Sequence, residues 1–361
     1  MAVRYDLPLV KSVLHPTDFS AESQQAFAHA LAIALIRKTS LTLLHAGGDR
    51  SRSWESFPSV RGTLERWGML EPGSHRSAVF DQLSVRVKKV VSKERDPLAA
   101  CLGYMERHPA DLIVLATRGR KGPVNWLKKS VSQNVARHST AMSLFVPGRG
   151  RGFVSLGNGH LDLQRILVPI AHKPSPQPSI EFAARAGRVF GSALEITLLH
   201  VGDTNGVPEV SLPDEPNIEW RSEVRQGDPV DQIVAEADRL SANLIVMTTD
   251  GRDVLIDALR GSHTERVLRR SSSPVMALPV TWTDEFVQGR HLADVVSEED
   301  RRQRRALKDA FRSAARDLHP DRAVSADRAG RNELMAKANE AYRRKDVAEL
   351  ERLKRRSANS E

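Results

Sequence analysis

The sequence predicts an α/β protein: two doubly wound, mainly parallel five-stranded sheet domains, followed by a C-terminal all-α helical hairpin module. Three observations lead there. An apolar strand, a short turn ending in Gly and the start of a helix occur in that order twice, as ADLIVLATRGRKG at 110–122 and ANLIVMTTDGRDV at 242–254. Strands alternate with helices around each copy, which indicates crossover connections and a parallel sheet. Beyond Pro279 the pattern changes, and charged residues dominate at helical spacing. In each copy a polar residue, Asp111 or Asn243, precedes four large apolar ones, the continuous run of a parallel strand covered on both faces. A Gly turn that delivers the chain to a helix N-terminus places backbone N–H groups where an anion would sit, so phosphate is the first ligand to consider.

At 361 residues the chain has room for two or three domains with their own cores. No apolar stretch approaches the roughly 20 residues of a membrane-spanning helix. The N-terminus, MAVRYDLPLVKS, lacks the apolar core and cleavage site of a secretory signal. A cytoplasmic setting with no membrane partner is therefore expected. The single Cys101 excludes an internal disulfide framework and a Cys-rich metal site, and its setting in a helix points to packing. A formal net charge of +9 raises nucleic acid as a partner. Against that, bases and acids are mixed and aromatics make up only 5% of residues, so no stacking platform is present and nucleic-acid binding is disfavoured.

In chain order, domain one spans 1–147. It opens with a strand at 10–14 and the turn HPTDFSAES at 15–23, where Ser20 is placed to cap a helix carrying Ala26, Phe27, Ala30, Leu31 and Ala34 on one side. A strand at 41–45 follows, then an interrupted helix at 54–70, a strand at 83–91, and a helix opened by Asp96 and ending near His108. The strand 112–116, a helix at 130–137 and a strand at 142–146 complete the domain. The Gly-rich stretch 148–163 has no periodicity and reads as a linker. Domain two, 164–280, repeats the order with strands at 165–169, 193–201, 218–224, 244–247 and 274–278 and helices at 180–190, 229–240 and 262–269. Residues 205–216, with four Pro or Gly, have lost the helix found at this point in domain one.

The PTDFS turn at 16–20, the LLH strand endings at His45 and His200, and the two Gly loops with their following Ser resemble the universal stress protein family in tandem, over nearly all of 10–279. Nucleotide-binding members of that family carry G-x2-G-x9-G-[S/T] and an Asp after the first strand that contacts adenosine. By that resemblance Asp18, Gly119 and Ser130 are nucleotide-binding candidates in domain one, with Ala116 and Lys129 at the outer Gly positions. In domain two Gly251, Gly261 and Ser262 match, Thr248 replaces the first Gly and Ala171 the Asp. The second loop is the better preserved. The cofactor implied is ATP, with Mg, and the arrangement implied is an internal pseudo-dimer, with homo-oligomer formation open. His45 and His200 are read as satisfied core or rim histidines.

A connector at 281–296 leads to the module at 297–361. Leu307, Ala310, Phe311, Ala314 and Leu318 share one helical face, with Arg305, Arg312 and Arg316 opposite. The helix must stop at His319-Pro320, because Pro disfavours helical geometry in the residue before it. A second helix at 331–344 and a short one at 347–356 follow. FRSAARDLHPDR and ANEAY resemble the J-domain of DnaJ-like co-chaperones, without a clear first helix. The resemblance implies a DnaK-type heat-shock chaperone as partner, contacted by His319, Pro320, Asp321, Arg305, Arg312 and Arg316.

The expected function is a cytoplasmic stress-response protein whose tandem lobes bind adenine nucleotide and whose C-terminal module recruits and stimulates a DnaK-type chaperone. No Asp/Glu/His constellation for hydrolysis stands out at the Gly loops, so it is not expected to be an enzyme beyond slow ATP turnover. Two alternatives stay open: an ATP-binding or slow ATP-hydrolysing stress protein with structural or nucleic-acid-binding C-terminal helices, and a nucleotide-free protein-binding scaffold.

Overall fold

In the computed structural model, residues 10–47, 56–117, 141–148, 150–190, 193–249 and 263–280 are described, together with Lys337 and Arg352. The chain divides into two compact units, Met1–Ala293 and Asp294–Glu361. In the second unit the described residues are Lys337 and Arg352, both helical and exposed. The helical hairpin read from the sequence therefore lies outside the described residues, as does the helix expected at 130–137.

The first lobe runs β1 (Ser12–Pro16), α1 (Ala21–Arg37), β2 (Ser40–Ala46), α2 (Val60–Arg66), α3 (Ala78–Asp81), β3 (Arg86–Ser92), α4 (Pro97–Met105), β4 (Leu112–Thr117) and β5 (Met142–Pro147). The second runs β6 (Arg165–Ile170), α5 (Gln177–Phe190), β7 (Leu194–Val201), β8 (Ile218–Arg225), α6 (Pro229–Arg239), β9 (Leu244–Thr249), α7 (His263–Arg270) and β10 (Val275–Pro279). Ser20 caps α1 by accepting from Ser23 N, and Lys38 closes it in the left-handed conformation. Small residues along α1 (Ala26, Ala28, Ala30, Ala32, Ala34) are all buried, which lets the helix lie close to the sheet. Helix α2 begins at Val60, capped by Ser59. The strand expected from Leu83 starts at Arg86 instead, because Ser84 adopts a positive φ of 57° and turns the chain first. Helix α4 ends at Met105 rather than near His108. In place of the missing helix of the second lobe there is one 3-10 turn, Thr204–Gly206, and Gln177 latches the segment after it by bonding both the N–H and the carbonyl of Ser211.

The expectation of two separate five-stranded sheets is corrected. The strands form one ten-stranded sheet in the order β3-β2-β1-β4-β5-β10-β9-β6-β7-β8. Every neighbouring pair is parallel except β5 with β10, where Phe145 faces Val275, Leu144 faces Met276 and Ser143 faces Ala277. All residues of β5 and β10 are buried, so each lobe's last strand needs a partner and finds it in the other lobe. Two apolar layers flank the sheet, one under α1, α2, α3 and α5, the other under α4, α6 and α7.

The Gly-rich stretch after β5 is folded onto this body. Phe153, Val154 and Leu163 are buried in the first layer. The Phe153 N–H donates to His29 Nε2 at 3.1 Å, the Phe153 ring meets the imidazole edge-on at 4.4 Å, and Trp67 Nε1 donates to the Leu156 carbonyl at 3.1 Å.

Candidate functional site

In a doubly wound sheet, ligands bind beyond the carboxyl ends of the strands where the strand order reverses. That point lies between β1 and β4 in the first lobe and between β6 and β9 in the second.

In the first lobe the chain leaves β1 through Thr17, Asp18, Phe19 and Ser20. Asp18 is exposed, and its Oδ1 accepts from Ser20 N at 3.0 Å and Ser20 Oγ at 2.5 Å. This carboxylate therefore organises the helix start as well as facing solvent. Phe19 takes a left-handed φ of 63°, and its ring stacks on His45 at 4.1 Å, with Phe57 edge-on at 5.1 Å. Below them, His15 Nδ1 donates to the Val114 carbonyl at 2.9 Å, leaving Nε2 toward Ser23 Oγ at 3.4 Å. Burial pushes His15 down to about 4, opposed by its bond to Val114 and by the charge of Asp18.

The two strand-ending histidines do the same work. His45 Nδ1 donates to the Thr17 carbonyl at 2.8 Å, and His200 Nδ1 to the Ile170 carbonyl at 3.4 Å, tying the end of the second strand to that of the first. In both lobes a glycine two residues on makes room for the imidazole. A Cβ at Gly47 would lie 2.8 Å from His45 Nε2, and one at Gly202, where φ is 152°, would lie 3.0 Å from His200 Nε2.

The second lobe has an open crevice at the predicted place, with a volume of about 350 Å³. Ala171, Lys173, Leu199, Met247, Thr248 and Thr264 are among its walls. Thr248, standing where a nucleotide loop would have its first Gly, directs its hydroxyl to Ser179 Oγ at 2.7 Å. Its polar atom is thus held by α5. No carboxylate lines the crevice among the described residues. An anion entering it would meet the Lys173 ammonium, the Thr264 hydroxyl and His263, and a flat apolar group would meet Ile170, Leu199 and Met247.

Of the sequence-predicted site residues, Asp18 is seen at the mouth of the first lobe, while Ala171 and Thr248 come together in the second. Gly119, Ser130, Lys129, Gly251, Gly261 and Ser262 lie outside the described residues, as do His319, Pro320, Asp321, Arg305, Arg312 and Arg316. Lys173 and the pair Ser179–Thr248 were not singled out from the sequence. The one signal for Lys173 is its position two residues past the site of the missing Asp. The LLH-x-G spacing shared by 43–47 and 198–202 could have revealed the two glycines. Among the described residues no group of three or more His, Cys, Asp or Glu is placed to hold a metal ion, and no helix is long and apolar enough to cross a membrane. Cys101 is buried, which raises its thiol to about 12, so it packs and does not react.

A model of the universal stress protein family matches residues 10–147 and 212–279. A universal stress protein of Methanothermobacter thermautotrophicus is 39% identical over 56 residues, which are 16% of this chain, so the chain spans about 38% of the length of that curated relative. A universal stress protein structure from Pseudomonas aeruginosa aligns with a TM-score of 0.48 at 15% identity, over 80% of this chain and 98% of that one. A family protein from Arabidopsis thaliana, solved with AMP bound, aligns with a TM-score of 0.21 at 18% identity, over 32% of this chain and 90% of that one.

Proposed function

Because the chain belongs to the universal stress protein family, we propose that it is a cytoplasmic stress-response protein that binds an adenine nucleotide in its second lobe and recruits a DnaK-type chaperone through its C-terminal module. The crevice between the carboxyl ends of β6 and β9 carries the first half of this reading. Its chemistry suits a nucleotide unevenly. Lys173 and the hydroxyl of Thr264 suit phosphate oxygens, and the apolar wall suits a base. Ala171 offers the ribose no acceptor, so affinity should rest on the phosphates more than on the nucleoside. Mg, if carried, would be held by the nucleotide's phosphates, since the described wall supplies no carboxylate. Such a site binds and senses. His263 stands exposed on the crevice wall, and catalysis is not part of the proposal.

The second half rests on the sequence alone, on His319-Pro320-Asp321 after a stretch whose spacing predicts a helix with an arginine face. Guanidinium groups suit an acidic chaperone surface because each can pair bidentately and speed encounter.

Calorimetric titration of the full chain with ATP and with AMP tests the nucleotide half. We expect saturable binding, weakened about tenfold by Lys173→Ala, the loss of one charge-assisted contact. No heat from a folded protein would favour the nucleotide-free scaffold, a reading that Ala171 and the Ser179-held Thr248 already favour for the nucleoside end. In the same preparations, stimulation of a DnaK-type ATPase should be lost in His319→Gln, and unchanged stimulation would remove the co-chaperone role.

A further inference from the structure

The duplication sets one cation in two different surroundings. His45 stands opposite Val91 and His200 opposite Val224, so Lys88 is the counterpart of Arg221, Arg86 of Glu219, Ser40 of Glu195 and Val90 of Glu223. The helix-opening residues Asp96 and Asp228, each followed by Pro, make Tyr104 the counterpart of Glu236. In the second lobe Arg221 is saturated. Its Nη1 lies 3.1 Å from Glu195 Oε2, and its Nη2 and Nε donate to Glu219 Oε1 at 2.8 and 2.9 Å. Beside it, Glu223 and the buried Glu236 form a second network with Arg225 and Arg239.

In the first lobe all four acidic positions are replaced, by Ser40, Arg86, Val90 and Tyr104, while the cation is kept as Lys88. Arg86 and Lys88 are exposed, and among the described residues neither has a carboxylate partner. They rest over rings instead. The Arg86 guanidinium lies 5.3 Å from the Phe80 centroid, and Lys88 Nζ lies 5.6 Å from that of Tyr104, which stacks on His108 at 4.5 Å. A groove of about 300 Å³ opens beside them, floored by Ser40, Leu41 and Thr42.

We propose that the outer edge of β3, beside this groove, binds an extended acidic peptide segment, whose carboxylates at positions i and i+2 supply Arg86 and Lys88 with the kind of partner that Arg221, the counterpart of Lys88, has in the second lobe. The period decides for a peptide. Arg86 and Lys88 are two residues apart on the sheet's end strand, whose residues from Arg86 to Ser92 pair with β2 without a bulge. An added strand has the same two-residue repeat, with backbone bonds giving affinity and alternate side chains specificity. Charge decides for acid. Nucleic acid fits less well, because Tyr104 is buried with His108 and Lys88 against its ring and offers bases no open platform.

Fluorescence anisotropy of a short labelled peptide alternating Glu with Thr, titrated with the full chain, tests this. We expect saturable binding that weakens with salt, none by the matching Gln–Thr peptide, and a loss of about tenfold or more in Lys88→Glu. The double change Ser40→Glu with Arg86→Glu rebuilds the second lobe's acid pair around Lys88. It should abolish peptide binding while leaving the melting temperature equal or higher, and Lys88→Ala at its exposed position gives the same comparison should the double variant unfold. Absence of binding by the wild type, equal binding of the Gln–Thr peptide, undiminished binding by a folded variant, or tighter binding of a single-stranded oligonucleotide through the same residues would overturn the proposal. Nucleotide affinity, carried by the other lobe, decides nothing here.

Discussion

His15 and His29 are withdrawn from water in the first lobe, and each donates its Nδ1–H to a backbone carbonyl, of Val114 and Gln25 respectively. The remaining nitrogen of His29 must stay unprotonated to accept from Phe153 N–H. Burial accordingly holds both imidazoles down to about 4, against an ordinary value of 6.5. A proton binds the unfolded chain more readily than the folded one, so their contribution is complete above pH 6.5 and falls away as the pH drops toward 4. Because each tenfold difference in proton affinity is worth about 1.4 kcal/mol, each site should lose on the order of 2 to 3 kcal/mol by about pH 4.5. Urea unfolding at about pH 7.5 and about pH 4.5 checks this. His29→Gln, which cannot titrate, should flatten the dependence by about half while lowering stability at neutral pH.

At the level of elements, the polar residue that opens the strand before each Gly turn has a structural use. Asp111 Oδ2 accepts from Lys11 N at 2.8 Å, Ser12 N at 2.9 Å and Ser12 Oγ at 3.0 Å, and Asn243 Oδ1 accepts from Gln164 N and Arg165 N at 3.0 and 2.9 Å. Each side chain pins the start of its lobe's first strand to the start of the fourth, in a register that fixes the crevice at the far end. Asp111→Ala should destabilise by about 2 to 4 kcal/mol, because buried donors lose a charged acceptor. Asp111→Asn should lose about 1 kcal/mol or less, since the second lobe manages with the amide. Thermal unfolding of the two variants separates them. The sequence shows these strands clearly, since four apolar residues in a row between a polar residue and a Gly turn have few other uses. It shows the lost helix at 205–216 as well, because Pro and Gly break a helix locally. What it hides is side-chain partnership across the fold: the Thr248 hydroxyl bound to Ser179, Phe19 lying on His45, and Lys173 brought to the crevice wall all depend on residues far apart in the chain.

For the whole molecule, duplication is legible from the repeated motifs, but the seam is not. The strands that join, β5 and β10, lie far apart in sequence, and nothing local distinguishes a strand that will pair across lobes from one buried within its own. The same limit applies to the stretch after β5, whose glycines suggest a spacer while Phe153 and Leu163 draw it into the apolar layer. With β5 and β10 paired to each other, the sheet ends in β3 and β8, one carrying Arg86 and Lys88 over aromatic rings and the other crossed by ion pairs. In a symmetric assembly of two identical chains, any substitution appears on both sides at once and must suit both roles. Here covalent linkage frees each half from its twin, so one margin of the sheet carries an internally neutralised lattice of charge while the other, without acids at the matching positions, presents its cations outward.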